Sequence, residues 1–350
     1  MAKEEIAYFD ASHDFPEEIV MAAGYTPVKL TGDVHAPNEP ADQYLFQTFC
    51  PLARSILTQA LNNPNKWRGI ILAHGCDATN RHFDVWKLHV KTPFLYWFNT
   101  PMNISKSAAK FFKRELEVLV GKLEGELDVE ITQTDLKEAI KKSNQVKELL
   151  QKLSKLRSTQ DISNVEYLNT VKSAMVGDKD ETIKLLEDKV ADWTTKDNFP
   201  RDKNKILLTG SDLTYPEFMQ WLEDAGLRVV RDDLTIGERY FAELIPEDMD
   251  PLDDIVDYHF NIPRPATKHP PEPRLDFILH ALEETPVDGV LSQNIKFCET
   301  YAYDAVWIKE SIKAKGVPIS HLERDYVGKA DHQIINRIEA FSEILDAQGK

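Results

Sequence analysis

Cysteine is scarce in this chain: three in 350 residues, at positions 50, 76 and 298. A sparse and odd count excludes a disulfide framework and agrees with a reducing compartment. No apolar run reaches the roughly 18 residues of a membrane span. The first residues, MAKEEIAYFDAS, lack the basic and apolar regions of a signal peptide. These absences predict a cytoplasmic protein that does not enter a membrane. Positive charge is also in deficit, with a net charge of −16, and the short Lys clusters share helical faces with Glu. That pattern argues against a nucleic-acid partner, and an anionic ligand would need a local cationic site. GxxxxGK[ST], GxGxxG after a strand, HExxH and GxSxG are all missing. The chain is therefore expected neither to hydrolyse ATP itself nor to bind a nicotinamide in the usual way, and it has no nucleophile elbow.

What is present is alternation of strand-like and helix-like segments. Residues 6–10 (IAYFD), 26–30 (TPVKL), 69–73 (GIILA) and 92–99 (TPFLYWFN) read as strands, separated by helical stretches at 15–23, 49–61 and 81–90. From Ser105 to about Trp193, Gly and Pro nearly vanish and apolar residues recur at helical spacing. Phe111, Phe112, Leu116, Leu119, Val120 and Leu123 form one stripe; Leu149, Leu150, Leu153 and Leu156 belong to another. Alternation resumes with strands at 205–208, 227–231, 289–291 and 317–321, and helices at 215–225, 275–284, 301–315 and 332–347. The two α/β stretches look like copies of one unit: Gly24 and Gly226 each end a helix before a strand, and GIIL and GVLS each lead to a cysteine. The expected fold is α/β, with two doubly wound (Rossmann- or flavodoxin-like) parallel sheets. The expected division is 1–104, a helical insertion at 105–196, and 197–350.

Cys76 and Cys298 fall just beyond the carboxyl ends of expected strands, where open parallel sheets form their sites. Cys50, in FCPLAR, stands at a helix start, where free N–H groups favour a thiolate. Three buried thiols acting as small hydrophobes are the bland alternative. If the sulfurs meet, three thiolates leave one vertex of a metal centre open. Zinc is the competing occupant, with His74 as a fourth ligand.

Four segments carry a resemblance: FCPLAR at 49–54, HGCDATNRHFDVWK at 74–87, DDLTIGERYF at 232–241 and KFCET at 296–300, supported by GVPISHLERDY and RIEAFSE near the end. The chain resembles the benzoyl-CoA reductase / 2-hydroxyacyl-CoA dehydratase family (2-hydroxyglutaryl-CoA dehydratase D-component), in particular its shorter cluster-binding subunit. The resemblance implies that Cys50, Cys76 and Cys298 ligate one [4Fe–4S] cluster, and that the substrate is an acyl-CoA. It also implies a homologous cluster-binding partner subunit, a separate ATP-hydrolysing iron–sulfur activator, and reduced ferredoxin as electron source. Thr235, where many dehydratase relatives carry cysteine, together with CDATNR and the aromatic strand, points to the benzoyl-CoA reductase branch; 2-hydroxyacyl-CoA dehydration is the alternative, and a non-redox zinc scaffold a third. Candidate catalytic residues are His74, Asp77, Arg81, Arg239 and Tyr240. Arg54, one helical turn beyond Cys50, faces either the cleft or solvent.

Overall fold

The computed structural model describes residues 3–11, 15–329 and 331–348. The N-terminal part runs β1 (Glu5–Asp10), α1 (Glu17–Ala22), β2 (Thr26–Lys29), α2 (Glu39–Asp42), α3 (Pro51–Asn62), β3 (Gly69–Ala73), α4 (Asp77–His89) and β4 (Phe94–Phe98). Four long helices follow: α5 (Lys106–Leu127), α6 (Gln133–Leu156), α7 (Asn164–Val176) and α8 (Lys179–Thr194). The C-terminal part runs β5 (Asn204–Gly210), α9 (Pro216–Asp224), β6 (Leu227–Asp233), a 3-10 turn at Glu238–Phe241, α10 (Pro251–Asn261), α11 (Glu272–Glu284), β7 (Gly289–Ile295), α12 (Glu299–Ala314), β8 (Ile319–Arg324) and α13 (His332–Gln348).

Both sheets are four-stranded and parallel, in the orders β2-β1-β3-β4 and β6-β5-β7-β8. The identical order establishes the doubly wound architecture and the internal likeness of the two halves. The matching glycines have matching causes. Gly24 (φ +85) and Gly226 (φ +81) turn the chain out of α1 and α9 in a left-handed conformation that side chains resist. Gly69 and Gly289 open β3 and β7 where a Cβ would lie 2.7 Å from Phe94 and 2.9 Å from Leu345.

Alternate strand residues face opposite layers, as in sheets buried on both sides. Ala7, Phe9, Ile70 and Leu72 join Ile206, Leu208 and Leu291 in one continuous core, whereas Ile6, Tyr8 and Ile71 pack under α5. The α5 stripe is buried at Phe112, Leu116, Leu119 and Leu123, while Phe111 faces out. Leu136 and Ile140 of α6 enter the α5 layer, and Leu150 and Leu153 enter the shared core, so α6 joins the two. Two helices, the one-turn α2 and the longer α10, are not among those the sequence pattern predicts. Helix α10 lies in an acidic, proline-flanked stretch and packs Leu252, Ile255 and Tyr258 back against the α5 layer over the first sheet. Among the described residues, no helix is long and apolar enough to cross a membrane.

Glu166 of α7 ties this helix to the end of α8, accepting from Lys189 Nζ (2.8 Å), Trp193 Nε1 (2.8 Å) and Lys196 Nζ (2.7 Å). Burial pushes its carboxyl up, but the three donors prevail and hold it at about 2. Because the folded value lies below the ordinary one of 4.5, the stability it contributes is present above that pH and is lost as pH falls towards 2. Glu166→Gln should lower the unfolding free energy at pH 7 by about 1 kcal/mol, allowing for solvent screening. It should also flatten the acid limb of urea unfolding; an acid limb identical to that of the wild type would contradict this account.

Candidate functional site

In each sheet the winding reverses between the first and second central strands, β1/β3 and β5/β7, and the chain leaves the carboxyl ends there in opposite directions. These two crevices face each other. A small cavity of about 50 Å³ between them is lined by Phe9, Ala11 and Cys76 from the first sheet edge and by Ser211, Asp212, Ile295 and Cys298 from the second. Cys50 enters from α3, so the three cysteines, far apart in sequence, share one cavity.

The same local device positions all three. Cys50, Cys76 and Cys298 are the N-cap residues of α3, α4 and α12. The first free amides of each helix act on the sulfur: Leu52 and Ala53 on Cys50, Ala78 and Thr79 on Cys76, Tyr301 on Cys298. Hydroxyls add to this, with Thr79 Oγ1 at 3.9 Å from Cys76 Sγ and Thr300 Oγ1 at 3.8 Å from Cys298 Sγ. Thr79 also accepts from Cys76 N (2.9 Å), closing the first turn of α4 on its cysteine.

Burial dominates the titration of the three thiols. It raises Cys50 far above the usual thiol range, with the neighbouring Cys298 adding to the effect. Burial raises Cys76 as well, and lifts Cys298 to about 11 against the Tyr301 amide and the Thr300 hydroxyl; Asp212 pushes both of these thiols further up. No Lys, Arg or His lines the cavity among the described residues. Three thiols and one carboxylate thus converge where no side chain supplies compensating positive charge. Such a donor set suits a cationic group that displaces the thiol protons. Among the described residues, no three His, Cys, Asp or Glu side chains are placed to hold a single metal ion.

Two buried arginines lie behind the cavity-lining Tyr301. Arg274 Nε donates to Asp233 (2.8 Å) and its Nη2 to Thr209 Oγ1 (3.0 Å), and Arg274 also pairs with Asp304. Arg239, fully buried, lies 3.7 Å from Asp233, and its Nη2 donates to Thr235 Oγ1 (2.9 Å). Both guanidiniums sit against the Tyr301 ring, at 5.1 Å (Arg274) and 5.8 Å (Arg239) from its centre. Burial still leaves the Tyr301 phenol pushed up to about 12, against the pull of the two arginines.

The other singled-out residues are dispersed. His74 Nδ1 lies 3.1 Å from Thr100 O, and the ring stacks obliquely near Trp97 outside the cavity lining. Asp77 is the exposed first residue of α4, and Arg81 is exposed beside Asp84. Arg54 binds Asp42 and the Gln47 carbonyl (3.1 Å), which steadies the loop leading to Cys50. The 3-10 turn sends successive side chains into separate buried networks: Glu238 to Arg157 (2.5 Å), Arg239 to the Tyr301 side, and Tyr240, whose hydroxyl donates to Glu17 (2.5 Å) and accepts from Lys179 (3.1 Å). Thr235 does not line the cavity, so its identity carries little information about chemistry there. Neither does the aromatic strand β4. Asp212 is a site residue that sequence reasoning does not single out. Its only signal is position, a polar residue two beyond a strand end.

Fold and site together define a two-sheet α/β protein with a cysteine-lined centre at apposed switch points. The sequence profile described as 2-hydroxyglutaryl-CoA dehydratase, D-component, matches residues 13–345, and the chain belongs to that family. Among curated relatives, it is 23% identical over 340 residues to the (R)-2-hydroxyglutaryl-CoA dehydratase subunit beta of Acidaminococcus fermentans, covering 94% of this chain and 90% of the relative. It is 23% identical over 340 residues to the lactoyl-CoA dehydratase subunit beta of Anaerotignum propionicum, covering 94% and 89%. It is 24% identical over 350 residues to a putative dehydratase subunit of Escherichia coli K12, again covering 94% and 89%. These relatives favour the dehydratase alternative over the aromatic-reduction reading taken from CDATNR, Thr235 and the β4 strand.

Proposed function

We propose that this chain is a subunit of a (R)-2-hydroxyacyl-CoA dehydratase in which Cys50, Cys76 and Cys298 hold a [4Fe–4S] cluster. The observation that carries this reading is the convergence of three N-capping thiols and a carboxylate in a cavity with no basic side chain among the described residues. Family membership and the dehydratase subunits among the relatives support it. When bound, a cluster with one iron free of cysteine supplies a low-potential electron and a Lewis-acid vertex.

The chain's own residues set the conditions. The amides of α3, α4 and α12 and the Thr79 and Thr300 hydroxyls stabilise sulfur-centred negative charge. Leu52, Ala53, Ala78 and Ile295 exclude water from the cavity wall. Arg239 and Arg274 hold fixed positive charge behind Tyr301, a positioning role that needs no contact with substrate. The other parts of the reading are a partner subunit of similar fold, an ATP-hydrolysing activator fed by reduced ferredoxin, and a cytoplasmic setting. The missing phosphate loop agrees with placing ATP hydrolysis on another protein.

The test is an anaerobic assay of the complex assembled with its partner subunit and activator, offered both (R)-2-hydroxyacyl-CoA and aromatic acyl-CoA. Elimination of water from the hydroxyacyl ester is expected. Turnover of the aromatic ester alone would overturn the reading, as would a purified chain that carries zinc without iron or sulfide.

A further inference from the structure

Asp212 is the one carboxylate lining the cysteine cavity among the described residues, and the reading above gives it no ligand role. Its main chain is clamped. Gly210 adopts φ +133 against β7, Ser211 N donates to Gln293 O (3.0 Å), and the Gln293 amide donates back to Ser211 O (2.6 Å). Ile295 N donates to Ser211 Oγ (2.8 Å), and Arg324 Nη2 donates to the Asp212 carbonyl (2.8 Å). The carboxylate itself is left uncommitted, with no hydrogen-bond or ion-pair partner among the described residues. It is half-buried and shares the cavity lining with Cys50, Cys76 and Cys298. A rigid backbone thus holds an unpaired carboxylate in the lining that the three sulfurs share. Two sheet edges and three helix starts then deliver three thiols and one carboxylate around one space.

We propose that Asp212 is the protein ligand of the iron that the three cysteines leave open, so that the cluster is held by three thiolates and one carboxylate oxygen. This assignment rests on the cluster reading above. The ligation exchanges an iron-bound water for a carboxylate oxygen, with no change in oxidation state. A hard oxygen donor suits iron yet dissociates more readily than thiolate, so the vertex is protected at rest and can be released to another oxygen ligand. The carboxylate's negative charge also favours the oxidised cluster.

The experiment uses the full chain, reconstituted anaerobically with iron and sulfide and reduced, in four forms: wild type and Asp212→Ala, each unlabelled and labelled with [4-13C]aspartate. Electron–nuclear double resonance is recorded with and without H2 17O. The labelled wild type should show a 13C coupling and no 17O coupling. Asp212→Ala should keep its iron, lose the 13C coupling when labelled, gain a 17O coupling from water, and move to a more positive midpoint potential. A wild-type cluster with 17O coupling, or without 13C coupling, overturns the assignment while leaving the three-cysteine site intact. Wild-type chain that takes up no iron overturns the cluster reading and this assignment with it. If Asp212→Ala fails to load, the two wild-type spectra still decide.

Discussion

Cys298→Ser is expected to abolish most iron and sulfide uptake while leaving the fold in place. Cys298 is the only sulfur contributed by the second sheet edge, because Cys50 and Cys76 both come from the first half of the chain. Serine offers a harder donor that keeps its proton at neutral pH. Loss of a supporting outer-shell partner alone commonly costs 10–100-fold in metal affinity, so loss of a direct ligand should reduce iron and sulfide retention by at least roughly tenfold. The half-buried site makes the direct cost to folding small, about 1 kcal/mol or less. Iron and sulfide analysis beside urea unfolding of the metal-free chain separates the two effects. Full iron retention in Cys298→Ser would remove the ligand assignment.

The second large effect concerns Gly210→Ala. Gly210 pairs with Gln293 across β5 and β7, and a Cβ there would lie 1.7 Å from the Gln293 carbonyl oxygen at a φ of +133. The obstacle is backbone in a central strand, so no side-chain rotation relieves it. Both strands end at the cavity, and their separation would displace Asp212 and Cys298 together. A loss of about 4 kcal/mol or more is expected, enough to deplete the folded protein in cells. Gly121→Ala is the control of opposite sign. Gly121 lies exposed within α5, and a methyl added there meets nothing within 4 Å, so alanine should stabilise by about 0.5–1 kcal/mol. Urea unfolding of the two variants side by side measures both; equal stabilities would contradict the steric account.

Much of the fold is legible in the sequence because its causes are local. Alternation of apolar runs with helical stretches reflects strands buried on both faces and crossovers between them, and Gly24 and Gly226 mark turns that only a residue without Cβ makes easily. The α5 and α6 stripes are readable for the same reason, since helical period and burial coincide there. Strands run further than their apolar pattern predicts, as at β7, which continues through polar Ser292, Gln293 and Asn294 to Ile295. Those side chains are buried and satisfied in part by contacts that only the folded chain supplies, such as Gln293 with Ser211 and Arg324. Helix α10 carries Leu252, Ile255 and Val256 at helical spacing, but this short stripe stands among acidic residues and flanking prolines, and its partner, α5, lies more than a hundred positions earlier.

For the site, the residue types around each cysteine are enough to nominate the three thiols, because strand ends and helix starts are places where a chain exposes donors and free amides. The same reasoning does not separate Tyr240 from a catalytic role, since its burial against Glu17 and Lys179 is a contact between distant segments. It also offers no means to notice Asp212, whose meaning lies wholly in its neighbours. Sequence by itself thus determined the elements, the repeated sheet unit and the three candidate sulfurs, because these depend on periodicity and on residues adjacent in the chain. Tertiary structure alone decided that the two switch points face each other, that three thiols and a carboxylate share a space with no basic side chain among the described residues, and which charged residues are spent on holding the interior together. Those outcomes depend on through-space distance and desolvation, which no local pattern encodes.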